Sequence, residues 1–159
     1  MSDEFPKEGC LAGIDYGTVR VGVAVTDRER ILASPHTNYT RQNAEADARW
    51  FHQFVDEEQI VGFVVGLPVH ASGEESQKSR EARQFGDWLR ETTSLPVCYY
   101  DERYTSVQAE QILGAANLTK KKRKARLDML AAQIMLSAFL ESNQMHHEPG
   151  ALDDDASPS

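Results

Sequence analysis

The sequence predicts a single α/β domain with a mixed central sheet, and three observations predict it. Short apolar runs crowd the first quarter of the chain, with only tight turn signals between them. Later apolar runs alternate with amphipathic stretches of helical period. The resulting order, β-β-β-α-β-α-β-α-α, describes an antiparallel three-stranded start extended by crossover helices.

Taken in order, residues 11–16 (LAGIDY) are a short apolar strand that carries Asp15 at its end. Val21, Val23 and Val25 alternate with Gly22 and Ala24 up to Asp27, a largely buried strand. Gly17 separates the two and predicts a β-hairpin. A third strand over 31–39 is interrupted by Pro35, which cannot donate to a ladder and predicts an edge or a bulge. Residues 43–58 place Ala44, Ala48, Phe51 and Val55 at spacings of three and four, as a one-faced helix does. The run 60–65 (IVGFVV) is apolar without alternation, the pattern of a central strand covered on both faces, and Gly66-Leu67-Pro68 stops it.

Residues 69–75 (VHASGEE) are polar and predict a loop; His70 reads there as a solvated residue before a substrate contact. Ala82, Phe85, Trp88 and Leu89 define a second amphipathic helix over 76–92, and 96–100 a further short strand. Thr105, with Gln108 three residues on, makes a capping box for a helix through 116. A basic block follows, then a helix over 127–141 rich in Ala, Leu, Ile and Met. Trp50, Phe51, Phe85 and Trp88 fall at helical spacing, which favours core packing over base stacking. The expected domain spans 11–143, with 1–10 and 144–159 as flexible tails.

Composition narrows the class. The chain of 159 residues is 40% hydrophobic and 26% charged, ordinary for a globular domain. No apolar run is long enough to span a bilayer, no membrane partner is expected, and the first ten residues lack a secretory pattern. Cys10 and Cys98 are too few and too far apart for a zinc site and read as small apolar residues beside strands. A reducing cytoplasm is the expected compartment. The net charge of −8 argues only weakly against a phosphate-bearing partner, because it is concentrated in the tails. Residues 11–143 hold 18 acids and 16 bases, and Lys120, Lys121, Lys122, Arg123, Lys124 and Arg126 form one basic block.

Three acids stand where chemistry could occur. Asp15 ends a buried strand beside Gly17-Thr18, a rigid platform for a hard cation or a side chain that stabilises the turn. Glu102 lies just past a strand, where ligands gather in α/β sheets, or pairs with Arg103 on the surface. Asp128 begins an apolar helix with Ala131, Ala132 and Met135 on its face. A helix dipole would favour an acid there but does not account for its small neighbours. Three carboxylates on separate elements suit Mg²⁺ or Mn²⁺ and phosphodiester hydrolysis, but spacing alone does not bring them together.

Four ordered blocks supply a resemblance. Residues 13–24 (GIDYGTVRVGVA), 66–68 (GLP), 101–105 (DERYT) and 128–132 (DMLAA) resemble the motifs of the YqgF or RuvX family across 11–143. The resemblance implies a ribonuclease H-like fold related to the resolvase RuvC. The family is described both as a Holliday junction resolvase and as a nuclease maturing the 5′ end of pre-16S rRNA. Asp15, Glu102 and Asp128 match its metal-binding acids. Arg20, Arg103, Lys120, Lys121, Lys122 and Arg123 are the expected contacts to substrate phosphates. The segment after the G-L-P, residues 69–73 (VHASG), departs from the family pattern, so the resemblance implies no loop contacts there.

The leading reading is an endonuclease of ribosome biogenesis, a monomer or weak dimer acting on pre-16S rRNA or the assembling small subunit. Junction resolution on branched DNA uses the same chemistry, and a symmetric junction would favour a dimer with two sites. A non-catalytic RNA-binding assembly factor is the third reading. Asp15-x-Gly17-Thr18 also resembles the first phosphate loop of actin-like ATPases, but those proteins need two such lobes.

Overall fold

The computed structural model describes residues 5–68, 76–102 and 120–147, the last segment with side chains for 129–142. Its elements are β1 (Cys10–Asp15), β2 (Arg20–Thr26), β3 (Ala33–Thr40), α1 (Ala44–Glu58), β4 (Ile60–Leu67), α2 (Gln77–Thr93), β5 (Val97–Asp101) and α3 (Lys120–His147). The five strands form one sheet in the order β3-β2-β1-β4-β5. The β1–β2 and β2–β3 pairs are antiparallel, whereas β1–β4 and β4–β5 are parallel. The expected hairpin start and mixed sheet are both present.

Alternation along the strands divides the core in two. Ala12, Ile14, Val21, Val23, Phe63 and Val65 pack with Phe51 and Phe54 of α1 and Phe85 and Leu89 of α2. Leu11, Ala24 and Val64 face the other way and pack with Ala132, Met135, Leu136 and Phe139 of α3. Strand β4, between β1 and β5, is almost wholly buried, as its unbroken apolar run requires. Phe51 and Phe85 are core residues, while Trp50 and Trp88 are partly buried at the edge of that core.

Several boundaries differ from the expectation for local reasons. Strand β3 starts at Ala33 because Asp27 Oδ1 accepts the amides of Ile31 and Leu32, each at 2.9 Å, and holds both in the preceding turn. At Pro35 the ladder shifts register, the bulge that an amide-less residue on an edge strand permits. Asn43 and Ser76 cap α1 and α2 through their side-chain oxygens. The basic block lies inside α3, not ahead of it. Lys and Arg are good helix formers, and no Gly or Pro stands between Lys120 and Leu127 to stop the helix.

The same helix continues through His147, so the first residues of the expected C-terminal tail are helical. At the other end, Phe5 packs edge-on to Phe139 with ring centroids 6.0 Å apart, and Arg30 Nε donates to the Gly9 carbonyl at 2.8 Å. Residues 5–10 are thus tied to the domain. The expected helix at 105–116 and loop at 69–75 lie outside the described residues.

Candidate active site

Parallel pairing brings the carboxyl-terminal ends of β1, β4 and β5 to one edge of the sheet. Ile14 pairs with Val65, Gly66 with Tyr100 and Leu67 with Asp101. Asp15 therefore ends β1 on one side of Gly66, and Glu102 follows β5 on the other. The strand between them carries no side chain at that level. A Cβ on Gly66 would lie 2.8 Å from Glu102 Cδ and 2.9 Å from its Cγ, inside the volume the glutamate occupies. Through this gap the Glu102 carboxyl reaches Asp15, and the two side chains are hydrogen-bonded.

Two carboxyls can share a hydrogen bond only when one of them holds a proton. Burial pushes the Glu102 carboxyl above its ordinary value and Asp101 adds to the rise, while the bond to Asp15 and the Lys78 ammonium oppose it. Lys78 was not singled out in the sequence, where it is one base among several. It stands in the first turn of α2, whose cap Ser76 donates to the Pro68 carbonyl at 3.2 Å and pins the helix to the end of β4.

The β1–β2 turn beside Asp15 needs Gly17, because a Cβ there would collide with the Arg20 carbonyl oxygen. Arg41 braces the same turn: its amide donates to the Val19 carbonyl at 2.9 Å and its Nη1 to the Tyr16 hydroxyl at 3.1 Å. Arg20 opens β2 at this edge and is exposed. Cys10 and Cys98 lie on β1 and β5, partly buried, and burial pushes both thiols up.

Asp128 does not begin its helix. It lies more than two turns inside α3, beyond the first turn where a helix dipole acts. Its backbone is described and its side chain is not, as for Lys120, Lys121, Lys122 and Arg123. Arg103 and His70 fall outside the described residues. Among the described residues, two carboxyls rather than three meet at the sheet edge, and no group of three metal-ligating side chains occurs.

The architecture is that of a ribonuclease H-like domain, and two solved structures share it. Thermus thermophilus RuvC in complex with a Holliday junction substrate superposes with a TM-score of 0.53 at 14% identity, covering 86% of this chain and 96% of that one. The yeast mitochondrial Holliday junction resolvase Ydc2 gives 0.56 at 9% identity, covering 93% and 84%. The chain belongs to the RuvX family, whose model, described as "Holliday junction resolvase", matches residues 9–142. It is 48% identical over 140 residues to a Rhodopirellula baltica protein named "Putative pre-16S rRNA nuclease", covering 88% of this chain and 81% of the relative. A Neisseria gonorrhoeae relative of the same name is 42% identical, covering 87% and 91%.

Proposed function

We propose that this chain is a divalent-metal-dependent endonuclease that hydrolyses phosphodiester bonds and processes the 5′ end of pre-16S rRNA, with Asp15, Glu102 and Asp128 holding the metal. Membership of the RuvX family makes it a hydrolase acting on nucleic acid. The observation that carries the metal reading is the hydrogen-bonded Asp15–Glu102 pair at the carboxyl-terminal edge of the sheet. Two carboxyls that must share a proton when alone would each be ionised around a cation, and a donor set of oxygens alone suits Mg²⁺ or Mn²⁺. When bound, such an ion lowers the pKa of attacking water and stabilises charge on the phosphate.

The third acid is argued from the backbone. Gly13 lets α3 approach β1, since a Cβ there would lie 3.0 Å from Leu136 Cβ and 3.2 Å from the Ala132 carbonyl oxygen. Phe139 packs on Phe5, which precedes β1, in accord with helix and strand running in opposite senses. Asp128 is one turn before Ala132, roughly 6 Å back along the helix. Asp15 is two residues beyond Gly13, a similar advance of roughly 7 Å along the strand. Asp15 and Glu102 would hold the ion, Asp128 would complete its oxygen set, and Lys78, Arg20 and Arg103 would meet substrate phosphates. Lys120, Lys121, Lys122 and Arg123 would bind the backbone further away.

The curated relatives' name favours ribosomal precursor as substrate, and the family description keeps four-way DNA as the second reading. Cleavage of both substrates side by side under Mg²⁺ and Mn²⁺ decides between them. Asp15→Asn is expected to abolish cleavage while leaving RNA affinity largely intact. Undiminished cutting by that variant would remove Asp15 from the site, and a wild-type protein that cuts neither substrate would overturn the catalytic reading.

A further inference from the structure

A cleft of about 460 Å³ opens at the same sheet edge, on the face opposite α3. It starts at Tyr16, the residue after Asp15, and lies among that tyrosine, the segment entering α1 and one side of α2. Tyr16, Phe85 and Trp88 supply aromatic walls. The Arg41 guanidinium lies 5.3 Å from the ring centres of both Tyr16 and Phe85, adding a flat cationic surface. Exposed Gln42, Asn43 and Gln84 line it with amide donors and acceptors.

The charge of the lining selects the ligand. Arg41 is the one cation among the lining residues, against the carboxyls of Asp47 and Glu81. Its Nη1 donates to the Tyr16 hydroxyl at 3.1 Å and the Gly17 carbonyl at 3.5 Å, and its Nε lies 3.8 Å from Asp47, buried and without a hydrogen-bond partner. An anion would enter a lining in which two carboxyls outnumber the single cation. A flat, neutral group with a polar edge fits it, and the volume is within the range of about 300–1,000 Å³ typical of small-molecule sites.

We propose that this cleft receives one unpaired nucleobase of the strand whose backbone is held at Asp15 and Glu102. The proposal rests on the nuclease reading and adds that the substrate is single-stranded beside the cut, with one base turned out of the stack. Because Tyr16 follows Asp15 directly, the base belongs to a nucleotide near the cleaved bond. The amides around it give this position a base preference that phosphate contacts cannot supply.

The test is a binding cycle on short single-stranded RNA with divalent ions chelated, so that the strand stays whole. An abasic substitution at one position is expected to weaken wild-type binding about tenfold, the scale of one base–aromatic contact. Trp88→Leu should lose a similar factor on the intact strand and nothing further on the abasic one. Independent, multiplicative losses overturn the proposal, as does a wild type indifferent to every abasic position. Should Trp88→Leu fail to fold, the exposed Gln84→Ala repeats the cycle with an expected loss of a few-fold.

A nucleoside monophosphate that competes with the strand and shares its Trp88 dependence supports the base site. One that binds there without competing assigns the cleft to a free nucleotide and overturns the substrate role. A wild type that binds and cuts RNA without this coupling sinks the cleft alone. A wild type that neither binds nor cuts sinks the nuclease reading with it.

Discussion

At Gly66 a missing side chain makes room for a carboxylate two strands from its partner. The Cβ of an alanine there would overlap the Glu102 carboxyl, which would have to swing away from Asp15. Gly66→Ala is therefore expected to cut turnover about 100-fold, the scale of a displacement of about 1 Å in a catalytic group. Its thermal midpoint should stay near that of the wild type, and an unchanged turnover would deny Gly66 this role. Glu102 also makes stability depend on pH. Burial raises its pKa above the ordinary 4.5, so the folded protein holds this proton more tightly than the unfolded chain does. The resulting stability is complete below the ordinary glutamate range and is lost as pH rises through the raised value. Thermal midpoints of the metal-free protein should fall through that window, and Glu102→Gln should flatten the fall. A wild-type midpoint that rises there instead would contradict the assignment.

Among the elements, α3 is seated on the sheet by close approach. Gly13 on β1 and Ala132 on α3 together let helix and sheet touch at backbone distance. Gly13→Ala would place its Cβ 3.0 Å from that of Leu136, against a fully buried residue with little freedom to move. A loss of roughly 1–3 kcal/mol is expected, as for other overpacked cores, measured by urea denaturation. Stability equal to the wild type would mean that α3 slides freely on the sheet. The alanines beside Asp128 were readable in the sequence as a close-packing face. The start of the helix was not, because the lysines before it looked like an approach segment.

Over the whole molecule, chain order decides which ends meet. Three mutually parallel strands, β1, β4 and β5, deliver Asp15, Gly66 and Glu102 to one edge, while the antiparallel pair β2–β3 extends the sheet away from it. The chain is net acidic, so attraction for a polyanion depends on where its bases are grouped. Replacing Lys120, Lys121 and Lys122 by Gln should weaken RNA binding and lower the slope of log affinity against log salt by about two to three. An unchanged slope would remove these lysines from the phosphate contacts. The described helices include none long and apolar enough to cross a membrane.

By itself the sequence determined the fold class, the hairpin start, the buried central strand and the family, because period and motif order are local properties of the chain. It marked Asp15 and Glu102 each as an acid at a strand end, with a structural reading as good as a catalytic one for Asp15 and a position that favoured function for Glu102. Only the tertiary structure decided that the two touch, since parallel pairing through β4 and the gap at Gly66 join residues far apart in the chain. It alone also showed that the Lys78 charge acts on Glu102 and that a cleft opens at Tyr16. Both depend on α2, which reaches the ends of the strands only when it packs on the sheet face opposite α3.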